Sequence, residues 1–365
     1  MRIVVTGGGS GGHVYPALAI ADKFREMDPE GEILYMGYMN GFEKGVVPKA
    51  GYRLAEIDTH WIDRSKITKL APSAYHVGKG ISQSRRILKE FKPDAIIGTG
   101  GYVCFPVIFA GHSLGIPCYI HEQNAFPGLA NRRVEKYVKK VFLGFEEGGK
   151  YFKDKNKLVF TGNPVRSSFF NADKAAAREK LGFGKDDFIV LSFGGSLGAE
   201  AINSLAMSLM EEMNGKENQI LIFGTGKRFY ASVMEEIKEK GIVPESNIRI
   251  LDYIDDMDSY IASSDLIISR AGALSVAETL VSGKPSILVP SPNVTGNHQY
   301  HNAKAVSDKG GAILIEEKDI DPESVKAILR ELMENPEKLS EMGRKAREIA
   351  PESATDIIFR EVTED

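Results

Sequence analysis

Two stretches of the sequence show the same local order: an apolar run rich in β-branched residues, a glycine-rich turn and a helical pattern. They are RIVVTGGGSGG at 2–12 and FIVLSFGGSLGA at 188–199. A strand that passes through a glycine turn into a helix opens a Rossmann-like βαβ unit. Since 365 residues correspond to about two domains of ordinary size, we predict two doubly wound α/β domains, each with a parallel sheet.

Alternating strand and helix patterns continue in two series. Strands are predicted at 2–6, 33–37, 94–98, 117–121 and 140–143, and again at 188–193, 219–223, 247–250, 265–269, 285–289 and 312–315. A turn at 162–164 separates the series, and Pro351 interrupts the last helical pattern. We therefore predict a first domain of 1–163, a second of 164–350, and a C-terminal helix of 351–365 that packs back on the first. Ligands bind beyond the carboxyl ends of such strands, so the two domains are expected to face a central cleft.

Composition and charge exclude several classes of protein. The chain is 42% apolar and 26% charged, as globular proteins are, and its 46 basic and 50 acidic residues give no overall attraction to nucleic acid. The cysteines, Cys104 and Cys118, lack the spacing of a metal site. The N-terminus lacks the apolar region of a secretory signal, and the longest apolar run, 102–111, is too short to span a membrane. Any membrane contact is predicted to be peripheral.

Glycine-rich loops follow three of the predicted strands, at 7–12, 98–101 and 194–198. The first has the GxGxxG spacing, but no acid follows the second strand until Glu43, which disfavours a dinucleotide. Backbone N–H groups in such loops, followed by a helix N-terminus, bind phosphate. The sequence therefore predicts ligands that carry pyrophosphate, and the absence of GxxxxGK[ST] disfavours a P-loop ATPase.

Candidate catalytic side chains follow these strands. His13 begins a predicted helix whose dipole favours the neutral imidazole, so it is the candidate general base. The segment HEQN at 121–124 closes a buried strand with four polar side chains, and its Glu122 is the alternative base. Arg166 can neutralise a diphosphate, and Glu278 can accept both hydroxyls of a ribose.

Two short patterns imitate metal sites. Asp256-Met257-Asp258 is better explained as acids at the start of a helix, and His298-x-x-His301 has no third ligand in view. We therefore predict no metal and no cofactor.

Seven motifs follow one another along the whole chain. They are GGGSGGHVYPALAIA at 7–21, GTGGYV at 98–103, HEQN at 121–124, GNPVR at 162–166, GGSLGA at 194–199, YIDDM at 253–257 and RAGALSVAE at 270–278. Together they closely resemble the MurG family, the N-acetylglucosaminyltransferases that convert lipid I to lipid II in bacterial peptidoglycan synthesis. The resemblance implies a GT-B fold, with an N-terminal domain for the lipid acceptor and a C-terminal domain for UDP-GlcNAc.

The resemblance also implies roles for single residues. Ser196 and Arg166 would bind the donor diphosphate, the backbone of Ile254 the uracil, and Glu278 the ribose. The other implied donor contacts are Ser10, Gly11, Gly12, Asn124, Ala273, Leu274, Ser275, Val276, Ala277 and Gln299, with Asn203, Asn302 and Glu122 elsewhere in the cleft. Gly8, Gly9, Gly100, Gly101 and Tyr102 would hold the acceptor diphosphate. The sequence departs from the family at His298, where relatives can carry glutamine.

The implied reaction is an inverting single displacement. The 4-hydroxyl of MurNAc, in undecaprenyl-pyrophosphoryl-MurNAc-pentapeptide, attacks the anomeric carbon of GlcNAc while His13 removes its proton and UDP leaves. The product, lipid II, serves cell-wall synthesis and through it cell shape and division.

The lipid substrate implies a peripheral enzyme at the cytoplasmic face of the membrane, with cell-wall synthesis proteins as further partners. Residues 60–95 interleave basic and apolar side chains, as does NRRVEKYVKK at 131–140. Such segments suit an anionic lipid surface.

Three other functions stay open at this point. A non-hydrolysing UDP-GlcNAc epimerase shares the fold and donor but needs no lipid, whereas a diacylglycerol glycosyltransferase differs only in its acceptor. A catalytically silent nucleotide-sugar sensor would need neither His13 nor the N-terminal glycine loops.

Overall fold

The computed structural model describes residues 1–38, 40–59, 70–195, 197–351 and 353–364, without the side chains of 70–74. The chain divides into two compact units. The first is Met1–Val165 with Glu352–Asp365, and the second is Arg166–Pro351. The sequence placed these boundaries after residues 163 and 350.

The first unit is built on a parallel sheet. Its strands are β1 (Arg2–Thr6), β2 (Glu32–Tyr38), β3 (Arg53–Ile57), β4 (Ala95–Gly98), β5 (Cys118–Glu122), β6 (Lys140–Leu143) and β7 (Leu158–Phe160). Their order is β3-β2-β1-β4-β5-β6-β7, with Val4 of β1 opposite Leu34 on one side and Ile96 on the other. The chain changes direction across the sheet between β1 and β4, where doubly wound domains bind ligands.

Helices cover both faces of this sheet. They are α1 (Gly11–Met27), α2 (Glu43–Val46), α3 (Leu70–Phe91), α4 (Cys104–Ser113) and α5 (Leu129–Val134). Since alternate strand residues point to opposite faces, Ile3 and Val5 pack beneath α1, whereas Val4 packs with Leu88 of α3 and Val107 of α4. Each fully buried side chain of this size contributes roughly 1.5–3 kcal/mol.

The second unit repeats the plan. Its strands are β8 (Phe188–Phe193), β9 (Gln219–Gly224), β10 (Ile248–Leu251), β11 (Leu266–Ser269), β12 (Ser286–Leu288) and β13 (Ala312–Leu314), in the order β10-β9-β8-β11-β12-β13. Its helices are α6 (Ser168–Asn171), α7 (Lys174–Leu181), α8 (Glu200–Met213), α9 (Tyr230–Glu239), α10 (Met257–Ser263), α11 (Ala273–Val281), α12 (His298–Ser307), α13 (Pro322–Glu334) and α14 (Pro336–Ile349). The reversal of strand order falls between β8 and β11.

The last helix, α15 (Ala354–Thr363), belongs to the first unit. Its Ile358 is buried in the core beneath α1, and Phe359 packs on Phe24 at 5.0 Å between ring centroids. Lys23 and Asp356 add an ion pair at 2.6 Å.

The strands that the sequence predicted are present, and both sheets are parallel throughout the described residues. The edge strands β3 and β7 were not predicted, because RLAEI is half polar and LVF is only three residues long. The sequence predicts a helix near 16–27 that starts close to His13, and α1 begins earlier than those bounds. It begins at Gly11, with Ser10 extended before it, and Pro16 cannot donate to the carbonyl of Gly12.

Candidate active site

The first glycine loop, between β1 and α1, is partly occupied by the protein's own acceptors. The N–H of Gly8 donates to the carbonyl of Gly100 at 3.3 Å, and the N–H of Gly9 donates to Glu43 Oε2 at 3.2 Å. Gly8 and Gly9, which were predicted to bind the acceptor diphosphate, therefore have no free backbone donor. Because a helix leaves its first N–H groups without intrahelical acceptors, the donors left in this loop are at its end, where α1 begins.

Glu43 organises this loop and was missed by the sequence analysis as a site residue. Its side chain is fully buried, and its other oxygen accepts the N–H of Tyr38 at 2.8 Å. A carboxylate bound to backbone N–H groups resembles the arrangement that the glycine pattern predicted for a phosphate. The only sequence signal was an acid placed soon after β2.

The second glycine loop, after β4, packs directly on the first. Gly100 and Gly101 have φ values of +103° and +80°. A Cβ at Gly101 would lie 2.2 Å from the carbonyl oxygen of Gly8, and one at Gly100 would lie 3.0 Å from Nδ1 of His13. Both positions therefore require glycine. Tyr102, the next residue, is half-buried and lies with its ring edge-on to Tyr38, and burial raises its pKa to about 12.

His13 lies in the first turn of α1, half-buried between these loops. Its Nδ1 is 3.0 Å from the carbonyl oxygen of Thr99 and 3.2 Å from Oε1 of Gln123. The Thr99 hydroxyl donates to the main-chain carbonyl of His13 at 2.7 Å. Since a carbonyl can only accept, Nδ1 carries the proton, and in the neutral ring Nε2 keeps its lone pair. This is the form that a general base needs.

Glu122 is buried and fully hydrogen-bonded, so it is poorly placed to act as the alternative base. One oxygen accepts from the backbone N–H and side-chain amide of Asn124, at 3.0 and 3.2 Å. The other accepts from the N–H of Gly128 at 3.0 Å and from Asn131 Nδ2 at 2.9 Å. Four donors on one carboxylate indicate that Glu122 fixes the loop that carries the half-buried Asn124.

The glycine loop of the second unit follows β8. Gly198 closes it with a bond from its N–H to the carbonyl of Gly195 at 2.9 Å. Ser196, the predicted diphosphate ligand, lies outside the described residues. Asn203 is buried and donates to the carbonyl of Thr225 at 3.1 Å, so it holds the loop after β9. The side chain of Ile254 is also buried and packs against Gly224, which leaves only its backbone for the expected uracil contact.

Helix α11 follows β11 at the reversal of strand order and begins without a side-chain cap. Its N-terminal N–H groups, at Ala273, Leu274 and Ser275, are the kind of donors that bind anions. Glu278 is half-buried on this helix, one turn further along, whereas Val276 and Ala277 are buried and point into the core. Burial raises the pKa of Glu278 to about 7, against the opposing effect of the Arg166 charge.

Arg166, the first residue of the second unit, is exposed, and its guanidinium lies over the ring of Phe169 at 5.2 Å. Its positive charge lowers the pKa of Glu278, against the larger effect of burial.

Two amides that the resemblance places in the cleft also hold loops. Gln299 Oε1 accepts the N–H of Ser291 at 2.9 Å, and Asn302 is fully buried and donates to the carbonyl of Ala271 at 3.1 Å. His298 is exposed, with Nδ1 3.0 Å from the carbonyl of Thr295. Arg270, directly after β11, was not singled out from the sequence, and it donates to the carbonyls of Val289 and Pro290, both at 3.3 Å.

Asp256 lies at the N-cap position of α10, where the sequence analysis expected it, and its carboxylate pairs with Lys180 at 2.6 Å. Within the described ranges, no group of three or more His, Cys, Asp and Glu side chains is arranged to hold a metal ion. Among the helices of the described chain, none has the length and apolar character to cross a membrane.

Sequence and structure comparisons agree on one family. Residues 3–143 match the glycosyltransferase family 28 N-terminal domain, and residues 189–358 match the C-terminal domain. A protein of Acetivibrio thermocellus named UDP-N-acetylglucosamine--N-acetylmuramyl-(pentapeptide) pyrophosphoryl-undecaprenol N-acetylglucosamine transferase is 41% identical over 98% of this chain and 96% of its own length. A protein of the same name from Clostridioides difficile is 40% identical over 99% of this chain and 88% of its own length.

Solved structures show the same fold. The crystal structure of Acinetobacter baumannii MurG superposes with a TM-score of 0.79 at 27% identity, over 100% of this chain and 99% of the other. A UDP-GlcNAc 2-epimerase from Neisseria meningitidis, with a TM-score of 0.70, 14% identity and full coverage of both chains, shares the fold alone. The two-unit GT-B architecture, both family 28 domains and full-length relatives at about 40% identity lead to one assignment: the chain belongs to the MurG family of glycosyltransferases.

Proposed function

We propose that this protein transfers GlcNAc from UDP-GlcNAc to the N-acetylmuramyl group of pyrophosphoryl-undecaprenol-linked N-acetylmuramyl-pentapeptide, lipid I, to give lipid II for peptidoglycan synthesis. The observation that carries the proposal is the full-length similarity, at about 40% identity, to proteins named for this activity. The epimerase alternative has only a shared fold at 14% identity behind it.

The second unit is the proposed donor site. The uncapped N-terminus of α11 offers N–H groups to an anion, and the ionised form of Glu278 can accept both hydroxyls of the ribose. Arg166 is exposed and interacts electrostatically with Glu278, so it can reach the diphosphate beside that ribose. As UDP leaves, its growing negative charge is stabilised by this arginine and by the helix N–H groups.

The first unit supplies the proposed base. His13 Nε2 takes the proton from the 4-hydroxyl of MurNAc as that oxygen attacks the anomeric carbon of GlcNAc. The bond from that carbon to the UDP oxygen breaks on the opposite face, so an α-linked donor gives a β-linked product. After the transfer the imidazolium keeps its Nδ1–H on the carbonyl of Thr99, at 3.0 Å, and on Oε1 of Gln123. A positioned base of this kind contributes about 10²–10⁴ in rate.

The undecaprenyl acceptor is a membrane lipid, so the reaction takes place at a membrane surface. We propose that α3 contributes to a peripheral contact with the cytoplasmic face of that membrane. Tyr75 is 67% exposed, and Arg85, Arg86 and Lys89 are exposed on the same helix. Basic residues near an anionic surface contribute about 1 kcal/mol each.

Among the described residues of the predicted membrane-binding segment, some are not available at the surface. Ile81 packs against the core of the first unit, and Val77 is half-buried. Residues 60–69 of the predicted basic and apolar segment lie outside the described residues. In the second predicted segment, Arg133, Lys136 and Lys139 are exposed.

The test is transfer of radiolabelled GlcNAc from UDP-GlcNAc to a lipid I analogue, with diacylglycerol as the alternative acceptor and with donor alone. We expect β-linked product with the lipid I analogue only. Product on diacylglycerol would reassign the acceptor. Formation of UDP-ManNAc from donor alone would make the protein an epimerase, and donor binding without any reaction would make it a sensor.

A further inference from the structure

A chain of hydrogen bonds connects His13 to a second, fully buried histidine. Oε1 of Gln123 lies 3.2 Å from His13 Nδ1, and Nε2 of Gln123 lies 3.1 Å from Nδ1 of His121. His121 Nε2 lies 2.9 Å from the main-chain carbonyl oxygen of Gly162. Gln123 is 1% exposed and His121 is 0% exposed, so water does not compete for these bonds.

The chemistry of the end groups fixes the direction of every bond. The Gly162 carbonyl can only accept, so His121 Nε2 carries a proton. Burial lowers the pKa of His121 to about 4, so the ring is neutral at pH 7 and its Nδ1 is an acceptor. The amide nitrogen of Gln123 must therefore face His121, and it also donates to the His121 carbonyl at 3.1 Å.

With its nitrogen committed to His121, Gln123 presents only its carbonyl oxygen to His13. A flipped amide would place Oε1 against two acceptors on His121, which is repulsive. His13 Nδ1 thus faces two acceptors, Gln123 Oε1 and the Thr99 carbonyl. The His13 ring therefore carries its proton on Nδ1, and its lone pair is on Nε2.

From this geometry we infer that Gln123 and His121 are positioning residues, which hold His13 as the Nδ1–H tautomer so that Nε2 is free to receive the acceptor's proton. The inference rests on the proposed function for the role of that proton, but the tautomer itself follows from the hydrogen bonds. His121 and Gln123 contact neither the acceptor hydroxyl nor the donor sugar, and both act only through His13.

Two buried asparagines hold the main chain at His121 and Gln123 in place. We call the hydrogen bonds that run from His121 through Gln123 to His13 the relay. Asn131 Nδ2 donates to the carbonyl of His121 at 3.2 Å, and Asn163 Nδ2 donates to the carbonyl of Gln123 at 3.0 Å. Both asparagines are buried. The main chain at His121 and Gln123 is therefore held by a residue of α5 on one side and by a residue of the segment after β7 on the other.

Kinetics of paired variants test the relay. Gln123→Met keeps the length of the side chain and removes its three hydrogen bonds to His13 and His121, and we expect kcat to fall about 10–100-fold, as for the outer partners of metal-ligating histidines. The Thr99 carbonyl remains, so the fall should stay below the roughly 10⁴-fold loss that a wrong histidine tautomer causes in the serine protease triad.

At the other end of the relay, His121→Asn and His121→Leu have the same shape and both lose the bond to Gly162. Only asparagine keeps an acceptor for Gln123, so its kcat should exceed that of the leucine variant by at least about fivefold, while KM for UDP-GlcNAc stays similar in both. Equal kcat values would overturn the relay. In a His13→Ala background, Gln123→Met should cause no further loss, since its whole effect passes through His13. A further tenfold loss there would show a separate structural role.

The tautomer of His13 can be measured directly by ¹⁵N NMR of the whole protein labelled at its seven histidines. The signals of His13 are assigned as those that disappear in the His13→Ala variant. At neutral pH we expect a protonated Nδ1 and an unprotonated Nε2 at His13 in the wild type, and mixed tautomers in Gln123→Met. A protonated Nε2 in the wild type would overturn the inference. This measurement needs no acceptor, so it stands even if the transfer assay fails and the proposed function with it.

Discussion

The carboxylate of Glu43 accepts the backbone N–H of Gly9 at 3.2 Å, across 34 residues of sequence. The same side chain accepts the N–H of Tyr38, so one buried acid ties the end of β2 to the first glycine loop. The loop therefore has its shape before any ligand arrives. A protein carboxylate therefore occupies part of the loop that the GxGxxG spacing predicts to bind an anion.

Removing this carboxylate should destabilise the first unit. Glu43→Ala removes the acceptor of two part-buried N–H groups, at Gly9 and Tyr38, and a hydrogen bond to a charged group contributes about 1.5–3 kcal/mol. Glu43→Gln keeps a single acceptor oxygen and should lose about half as much. Urea unfolding of both variants measures the difference. Equal stability of the alanine variant and the wild type would show that water replaces the carboxylate.

His13→Ala should separate binding from chemistry. We expect the affinity for UDP-GlcNAc to stay within a few-fold and turnover to fall by about 10²–10⁴, the size of a general-base contribution. Isothermal titration with UDP-GlcNAc and the transfer assay give the two quantities. Unchanged turnover would assign the base elsewhere. Because Glu122 is buried with four donors on its carboxylate, it is a poor second candidate.

Donor binding should depend on pH through Glu278. Its pKa is raised to about 7, so the side chain is mostly protonated below that pH and ionised above it. Only the ionised carboxylate accepts both ribose hydroxyls, so UDP-GlcNAc affinity should rise between about pH 6 and pH 8. UDP-GlcNAc suits this titration because both of its phosphates are esterified and keep their charge over the range.

The matched control for this titration is Glu278→Gln, which should bind more weakly and show no such rise. The same shift has a consequence for stability. The folded-state pKa lies above the ordinary glutamate value of 4.5, so this group favours folding at low pH, and that contribution is lost as the pH rises from 4.5 to about 7. A wild-type affinity that is flat across the range would contradict the ribose role.

Gly101→Ala should lower transfer activity far more than Gly115→Ala, a matched substitution at another glycine. Gly101 and Gly115 have similar φ values, +80° and +75°, so both changes carry the roughly 1 kcal/mol strain of a left-handed alanine. Only at Gly101 does the new Cβ meet a backbone atom, the Gly8 oxygen at 2.2 Å, whereas nothing lies within 4 Å at Gly115. We expect the Gly101 variant to lose transfer activity and the Gly115 variant to keep it. Equal activity would mean that the loops separate easily.

In the second unit, Arg178→Lys should lower stability without affecting the donor site. Arg178 is buried and donates to Asp265 at 2.7 Å, to the Lys185 carbonyl at 2.6 Å and to the Ser263 carbonyl at 3.1 Å. A lysine cannot reproduce this planar set of bonds, and breaking a buried pair costs about 3–5 kcal/mol.

The control for Arg178 is Lys174→Gln, since Lys174 is exposed and pairs with the same Asp265 at 2.6 Å. Such an exposed pair contributes at most about 1 kcal/mol. Thermal unfolding of the two variants should therefore separate them clearly. Similar midpoints would show that the buried network contributes little.

The features that could be predicted from the sequence each lie within one short segment of the chain. The glycine loops after β1 and β8, and His13 at the start of α1, each belong to one short segment whose pattern carries its own structure. The Gln123 contact to His13 joins residues 110 apart, and no periodicity or spacing contains it. Asn302, which the resemblance placed in the cleft, is buried and holds a loop, and the sequence pattern alone does not contain that contact.

Helix α15 joins the first unit, although the whole second unit separates it from the rest of that unit in the chain. Phe24 and Ile358 share one core, so that core cannot close until α15 has left the ribosome. The second unit is contiguous and can fold during synthesis, as domains generally do. The unit that is translated first is therefore the last to be completed, and a chain stalled before residue 354 would present the apolar side of α1 to the chaperones of the cell.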